Sequence, residues 1–204
     1  AQIASDLKNA IELLPSTSFP AQLKSNLGHA TKWAAEGMLA RVFLFYTGYY
    51  GQTSLPVAGG GELSDSNIVA YLEDCMNNSG HQLVSEFRNM WPYTNQLTGE
   101  DYAYNKGKNL SWVGDDNNIE TVFAIKFGTK GDWSNKDYAN MVALCWSLRG
   151  QSSYANVFPF GQGWGQGPVN PRFIEDWIKY EPNDTIRRKG SVIDIKDPEE
   201  GIES

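Results

Sequence analysis

Residues 28–51, GHATKWAAEGMLARVFLFYTGYYG, constrain the fold more than any other stretch. Alanines at 30, 34, 35 and 40, with Met38 and Leu39, favour helix. His29 or Thr31 supplies a start, and Gly48 and Gly51 stand where glycine ends helices. The apolar residues fall in two stripes. One runs Ala30, Ala34, Met38, Phe45, interrupted by Arg41; the other runs Ala35, Leu39, Val42, Phe43, Tyr46. A helix apolar on two sides packs between neighbours. The small residues Ala34, Ala35, Gly37 and Ala40 let those neighbours come close. The stretch therefore predicts one layer in a stack of helices.

Other helices are legible on both sides of it. Ile3, Leu7, Ala10, Ile11 and Leu14 fall on one helical face, and Pro15 stops the pattern. Ser64 or Asp65 caps a further helix with Ile68, Tyr71, Leu72, Cys75 and Met76 on one face. Leu83, Phe87 and Trp91 predict a short helical continuation before Pro92. Pro171 leads a last helix over 171–180, apolar at Phe173, Ile174, Trp177 and Ile178. A helix is also expected over 136–148, with Trp146 in its apolar pattern and so in the core. The best strand candidate is ETVFAIKF, residues 120–127, which alternates β-branched and aromatic residues. A second short strand is read over 190–195. Residues 52–64, with Pro56 and Gly59-Gly60-Gly61, read as a loop. The triplet has no following Gly-Lys-Ser/Thr and is not a phosphate loop.

The bulk numbers narrow the function classes. The 204 residues suffice for a sizeable core. A net charge of -7 offers no basic footprint for nucleic acid; Arg187-Arg188-Lys189 is the nearest to one, and it is short. No apolar run is long enough to span a membrane. Cys75 and Cys145 are too few for a zinc framework and read as two free, buried thiols, although one disulfide is compatible with the count. Asp115-Asp116-Asn117-Asn118 with Glu120 is oxygen-rich, but it lacks the spacing of an EF-hand calcium loop. No cofactor and no metal site is expected. The 7 Trp, 10 Tyr and 9 Phe are the departure from an ordinary composition, and most of the Trp lie after residue 90. The chain starts inside a helical pattern at Ala1-Gln2-Ile3 and ends in DPEEGIES, so it reads as an internal piece of a longer protein.

Four segments, in order, carry a family resemblance. They are Asp6-Leu7-x-x-Ala10-Ile11-x-x-Leu14-Pro15, Ala30-Thr31-Lys32-x-Ala34-Ala35-x-x-x-Leu39-Ala40-Arg41-Val42, Glu120–Phe127, and Pro171-x-Phe173-Ile174-x-x-Trp177 with Asp184-x-x-Arg187-Arg188. The chain resembles the SusD/RagB-like family of outer-membrane nutrient-binding lipoproteins of Bacteroidetes. That resemblance implies a mainly α fold, with tetratricopeptide-like helix pairs, an irregular, loop-rich second part and a few short strands. On that pattern residues 1–91 are the helical scaffold, 92–118 a polar surface loop, and 119–204 the loop-rich part with the presumed ligand surface. It further implies a non-catalytic protein on the cell surface, held to the outer membrane by a lipid anchor outside this sequence. Its partners would be a glycan or other nutrient and a TonB-dependent (SusC-like) transporter. Members of the family are more than twice this length, and Gly48-x-Tyr50 fits the repeat pattern only in part.

A sugar ring lays its C–H face on an aromatic side chain, and its hydroxyls need polar partners in place of water. Residues 128–165 supply both types. Trp133, Tyr154 and Trp164 are the expected platforms; Asp132, Asn135 and Asn156 are the expected hydrogen-bonding residues. Two alternatives stay open. A glycoside hydrolase needs two carboxylates flanking a bond, and Asp115, Asp116 and Glu120 are available. A helical-repeat, peptide-binding adaptor would use a groove between the helices of residues 1–91. His29 and His81, the only histidines, read as capping or surface residues.

Overall fold

The computed structural model describes residues 1–25, 28–90, 107–114, 118–125, 145–146 and 164–192, with the side chains of 23–25 and 190 excepted. The chain divides into two compact units. One comprises Ala1–Leu83 with Asp116–Lys126, and the other Val84–Asp115 with Phe127–Ser204. The described residues are mainly helical.

In the first unit α1 spans Gln2–Leu13, α2 Phe19–Ser25, α3 Lys32–Tyr50 and α4 Asp65–Asn78. Strands β1 (Leu55–Pro56) and β2 (Glu62–Leu63) form an antiparallel hairpin between α3 and α4. The middle helix, α3, packs against both α1 and α4. Thr31 sets its start: the side chain accepts from the Ala34 N–H at 3.3 Å, and the residue is almost fully buried. The Pro15 carbonyl accepts from the Lys32 N–H at 3.1 Å, and the Thr17 carbonyl from the Trp33 indole at 3.0 Å. Donors at a helix start have no partner within the helix, so these bonds fasten the segment after α1 to α3. At the other end Gly51 takes a left-handed backbone (φ 64) and closes the helix. Gly48 does not end it; it lies inside the last turns.

One expected stripe of α3 is buried and the other is not. Ala35, Leu39 and Phe43 join the core, with Val42 and Tyr46 packed at its edge. Met38 and Phe45 are exposed. Trp33, Glu36 and Ala40 are buried in their place, which widens one continuous face until it meets both neighbours. A similar shift occurs on α1, where Ala4 and Ile11 are buried and Ile3 is exposed. On α4 Ile68 is buried and Tyr71 packs against the core, whereas Leu72 and Met76 face out.

The segment read as a loop at 52–64 folds as the hairpin. Leu55 faces Leu63 across it, and both side chains enter the core. Gly59, Gly60 and Gly61 all have positive φ (88, 110 and 88). Only glycine takes three such residues in succession without strain, so the triplet serves the turn. The next helix begins with a capping box. Ser64 Oγ accepts from the Asn67 N–H at 3.4 Å, and Asn67 Oδ1 accepts from the Ser64 N–H at 3.0 Å. After α4, Gly80 (φ 76) lies against α2, and the Ser79 carbonyl accepts from the Phe19 N–H at 2.7 Å.

The strand expected at 120–127 does not form over its described part. Asn118 instead makes a turn, its carbonyl accepting from the Thr121 N–H at 3.1 Å and its Oδ1 from the Glu120 N–H at 3.0 Å. Phe123 and Ile125 are exposed, and no sheet covers the alternation among the described residues; residues 126 and 127 lie outside them.

In the second unit, Phe87–Met90 is a short 3-10 helix, and the residues just before it are not helical. Over its described part, the continuation expected from Leu83, Phe87 and Trp91 is reduced to that turn; Leu83 is exposed, and Trp91 lies outside the described residues. Asn89 holds residues 107–114 to it, with Oδ1 accepting from the Ser111 N–H at 2.8 Å and the carbonyl from the Val113 N–H at 3.0 Å. Helix α5 spans Pro171–Tyr180, with Pro171 in its first turn and Asn170 Oδ1 accepting from the Arg172 N–H at 3.0 Å. Helix α6 spans Thr185–Ser191, so residues 190 and 191 extend a helix rather than begin the strand expected at 190–195. Residues 145 and 146 are helical; the remainder of the expected helix 136–148 lies outside the described residues.

Candidate functional site

Of the six residues expected to bind ligand, Trp164 is described. It is half-buried and opens the irregular stretch 164–170. Asp132, Trp133, Asn135, Tyr154 and Asn156 lie outside the described residues, as do Asp115 and Asp116. Glu120 is half-buried at the turn after Asn118.

Two features of the second unit lie on either side of Trp164 in the chain. Trp177 Nε1–H donates to Asp184 Oδ2 at 3.2 Å, and Arg187 holds the same carboxylate through Nε at 3.0 Å and the guanidinium NH2 group at 2.7 Å. The Arg187 bond keeps the Asp184 carboxyl below its ordinary range. These three side chains tie α5 to α6, so Asp184 and Arg187 have structural work. The other feature is Trp146. Its expected place was the core, yet it is 66% exposed. Phe173 is also exposed and meets Trp177 edge-on, with ring centroids 5.5 Å apart.

In the first unit the polar chemistry concentrates where α3 meets α4. Lys32 Nζ lies 2.5 Å from Asp74 Oδ2 and 3.7 Å from Glu36 Oε1. Asn78 Nδ2 donates to Asp74 Oδ1 at 2.6 Å. Glu36 is wholly enclosed, and neither carboxyl oxygen has a hydrogen-bond partner. Loss of water disfavours its charged form most, and the Asp74 charge adds to that; Lys32 opposes both. The carboxyl is pushed up to about 7. Asp74 is shifted the other way, chiefly by its bond from Lys32. Burial pushes the neighbouring Cys75 thiol up, away from the thiolate that nucleophilic or metal-binding cysteine chemistry requires. A general acid must also reach the atom it protonates, and the Glu36 side chain presents no exposed surface. The cluster therefore acts as a joint between helices.

His81 is more than a surface residue. Its Nδ1 lies 2.8 Å from the Ile119 carbonyl, its ring packs 4.9 Å from Phe19, and Nε2 is buried without a partner. It fastens the 118–125 segment beside α2. Its isolated place in the sequence gave no sign of this, because Ile119 is remote in the chain. Both cysteines are free and half-buried. Among the described residues no group of His, Cys, Asp and Glu could hold a metal ion, and no helix is long and apolar enough to cross a membrane.

No family model, curated protein or solved structure matches this chain.

Proposed function

We propose that this chain is part of a SusD/RagB-like binding protein. It binds glycans or similar nutrients at the cell surface without catalysis and delivers them to a TonB-dependent outer-membrane transporter. On this reading α1, α3 and α4 belong to tetratricopeptide-like helix pairs, and a lipid anchor lies outside this sequence. The observation that carries the proposal is the role taken by the residues of the resemblance. Thr31 caps α3, Lys32 bridges α3 to α4, Pro171 begins α5, and Asp184 binds Arg187. Residues that make the joints of a fold are those a family pattern would retain. The strand segment is the exception, since Glu120 lies in a turn.

Calorimetry and glycan-array binding of the protein test this reading, with Trp164→Ala as the first variant. Glycan binding weakened by that change supports it. Peptide binding without glycan binding would favour the adaptor, for which one observation speaks: Leu44, Phe45, Tyr49 and Tyr50 are all exposed near the end of α3. Release of reducing ends from glycans, abolished by Glu120→Gln, would establish a hydrolase.

A further inference from the structure

We propose that Lys32 is a proton-operated latch between α3 and α4. It ties the two helices together through Asp74 while Glu36 carries a proton, and turns back to Glu36, on its own helix, when that proton leaves. No ligand is needed for the exchange.

The geometry provides both arrangements. Among the described residues, one cation faces two carboxyls: Lys32 Nζ lies 2.5 Å from Asp74 Oδ2 and 3.7 Å from Glu36 Oε1. The Asp74 contact crosses between helices. The Glu36 contact stays within α3, at the i, i+4 spacing where side chains of one helix meet. The lysine stem is flexible, so small rotations along it exchange one partner for the other.

The proton on Glu36 decides between them. Its side chain presents no exposed surface, and neither oxygen has a hydrogen-bond partner. A buried charge left in that condition is costly, so an ionised Glu36 draws the nearby cation to itself. Asp74 can release it more easily, because it is partly exposed to water and keeps the bond from Asn78 Nδ2 on its other oxygen. The remaining groups on the packed elements do not compete. Cys75, also on α4, is a thiol whose ionised form the Glu36 charge disfavours. Asp6, Lys8 and Glu12 of α1 make no ion pair with Glu36, and Glu62 of the hairpin accepts from Ser54 Oγ. Burial and the Asp74 charge push the Glu36 carboxyl up to about 7, which places the exchange near neutral pH.

The latch holds the end of α4. Just beyond Asp74 and Asn78, the Ser79 carbonyl accepts from the Phe19 N–H at 2.7 Å, and Gly80 lies against α2. His81 Nδ1 then meets the Ile119 carbonyl at 2.8 Å. Release of Asp74 therefore loosens residues 75–81 and, through His81, the 118–125 segment, while α1 stays packed on α3.

The test is hydrogen exchange of the protein at pH 5 and pH 8, corrected for the intrinsic pH dependence of exchange. It compares wild type, Glu36→Gln and Asp74→Asn, with residues 4–11 of α1 as the internal reference. Local opening is read as protection lost in one segment beyond that lost elsewhere. Between pH 5 and pH 8 we expect wild-type residues 75–81 to lose about tenfold more protection than the reference, or more. Glu36→Gln should keep its pH 5 protection at pH 8, and Asp74→Asn should lack that protection at both. A wild type in which 75–81 loses no more than α1 overturns the latch, since the titration then acts on the whole fold. The same loss in Glu36→Gln also overturns it, as does full protection of Asp74→Asn at pH 5. If Glu36→Gln does not fold, wild type and Asp74→Asn decide by the same two criteria.

Discussion

At the scale of single residues, Glu36 has the most consequential environment. Its carboxyl keeps a proton in the folded chain up to a pH of about 7, whereas the same group exposed to water would release it near 4.5. The folded state thus holds a proton that the unfolded state has lost. Stability is highest below 4.5 on this account and falls as pH rises through that window. The loss is on the order of 3 kcal/mol by pH 8. Glu36→Gln removes the titration, so we expect it to stabilise the protein at pH 8 and to change little at pH 4.5. Urea unfolding at the two pH values measures the difference; an equal effect at both would show that the carboxyl does not titrate across this range. Asp74 acts in the opposite sense. Its lowered value means that the stability it contributes is present above its unfolded value and is lost as pH falls. The two neighbours therefore bend the pH profile from opposite sides, with Lys32 shared between them.

At the scale of elements, helix ends decide more than helix interiors. Thr31 satisfies an N–H at the start of α3, and replacing such a cap by alanine costs about 1 kcal/mol. We expect Thr31→Ala to lose about that much in chemical unfolding. Gly80→Ala should lose more. Its backbone has φ 76, and the new methyl group would lie 3.2 Å from Pro20 Cδ and 3.4 Å from the Phe19 nitrogen. Strain in the left-handed region alone costs about 1–2 kcal/mol, and the contact with α2 adds to it. A melting temperature for Gly80→Ala no lower than that of Thr31→Ala would contradict this order. Gly51 is conformationally similar but meets nothing within 4 Å, so alanine there bears the backbone strain alone.

At the scale of the whole molecule, the first unit is held by one core assembled from α1, α3, the hairpin and α4. Leu39 is 0% exposed in the middle of it. Leu39→Ala should cost about 2–5 kcal/mol, read as a drop in unfolding free energy. A much smaller loss would mean that the core closes around the cavity.

Sequence alone determined the helices whose signals are local. Capping residues, a stopping proline and a left-handed glycine act within a few residues, so α1, α3, α4 and α5 were placed to within a residue or two of their ends. The binding residues expected after residue 90 rested on composition, an excess of aromatic side chains there. Tertiary structure decided whatever depended on partners remote in the chain. The alternation of 120–125 suits a strand, but a strand needs a neighbour for its hydrogen bonds, and none pairs with it among the described residues; Asn118 turns the chain instead. Glycines 59–61 read as a plain loop because the pairing of Leu55 with Leu63 spans them. Periodicity placed apolar stripes on α3 but could not say how much of the helix its neighbours would cover. That is why Glu36 is enclosed while Met38 and Phe45 stand in water. Trp146 reversed for the same reason: its helical pattern pointed inward, but periodicity does not say what covers a face, and the indole is 66% exposed.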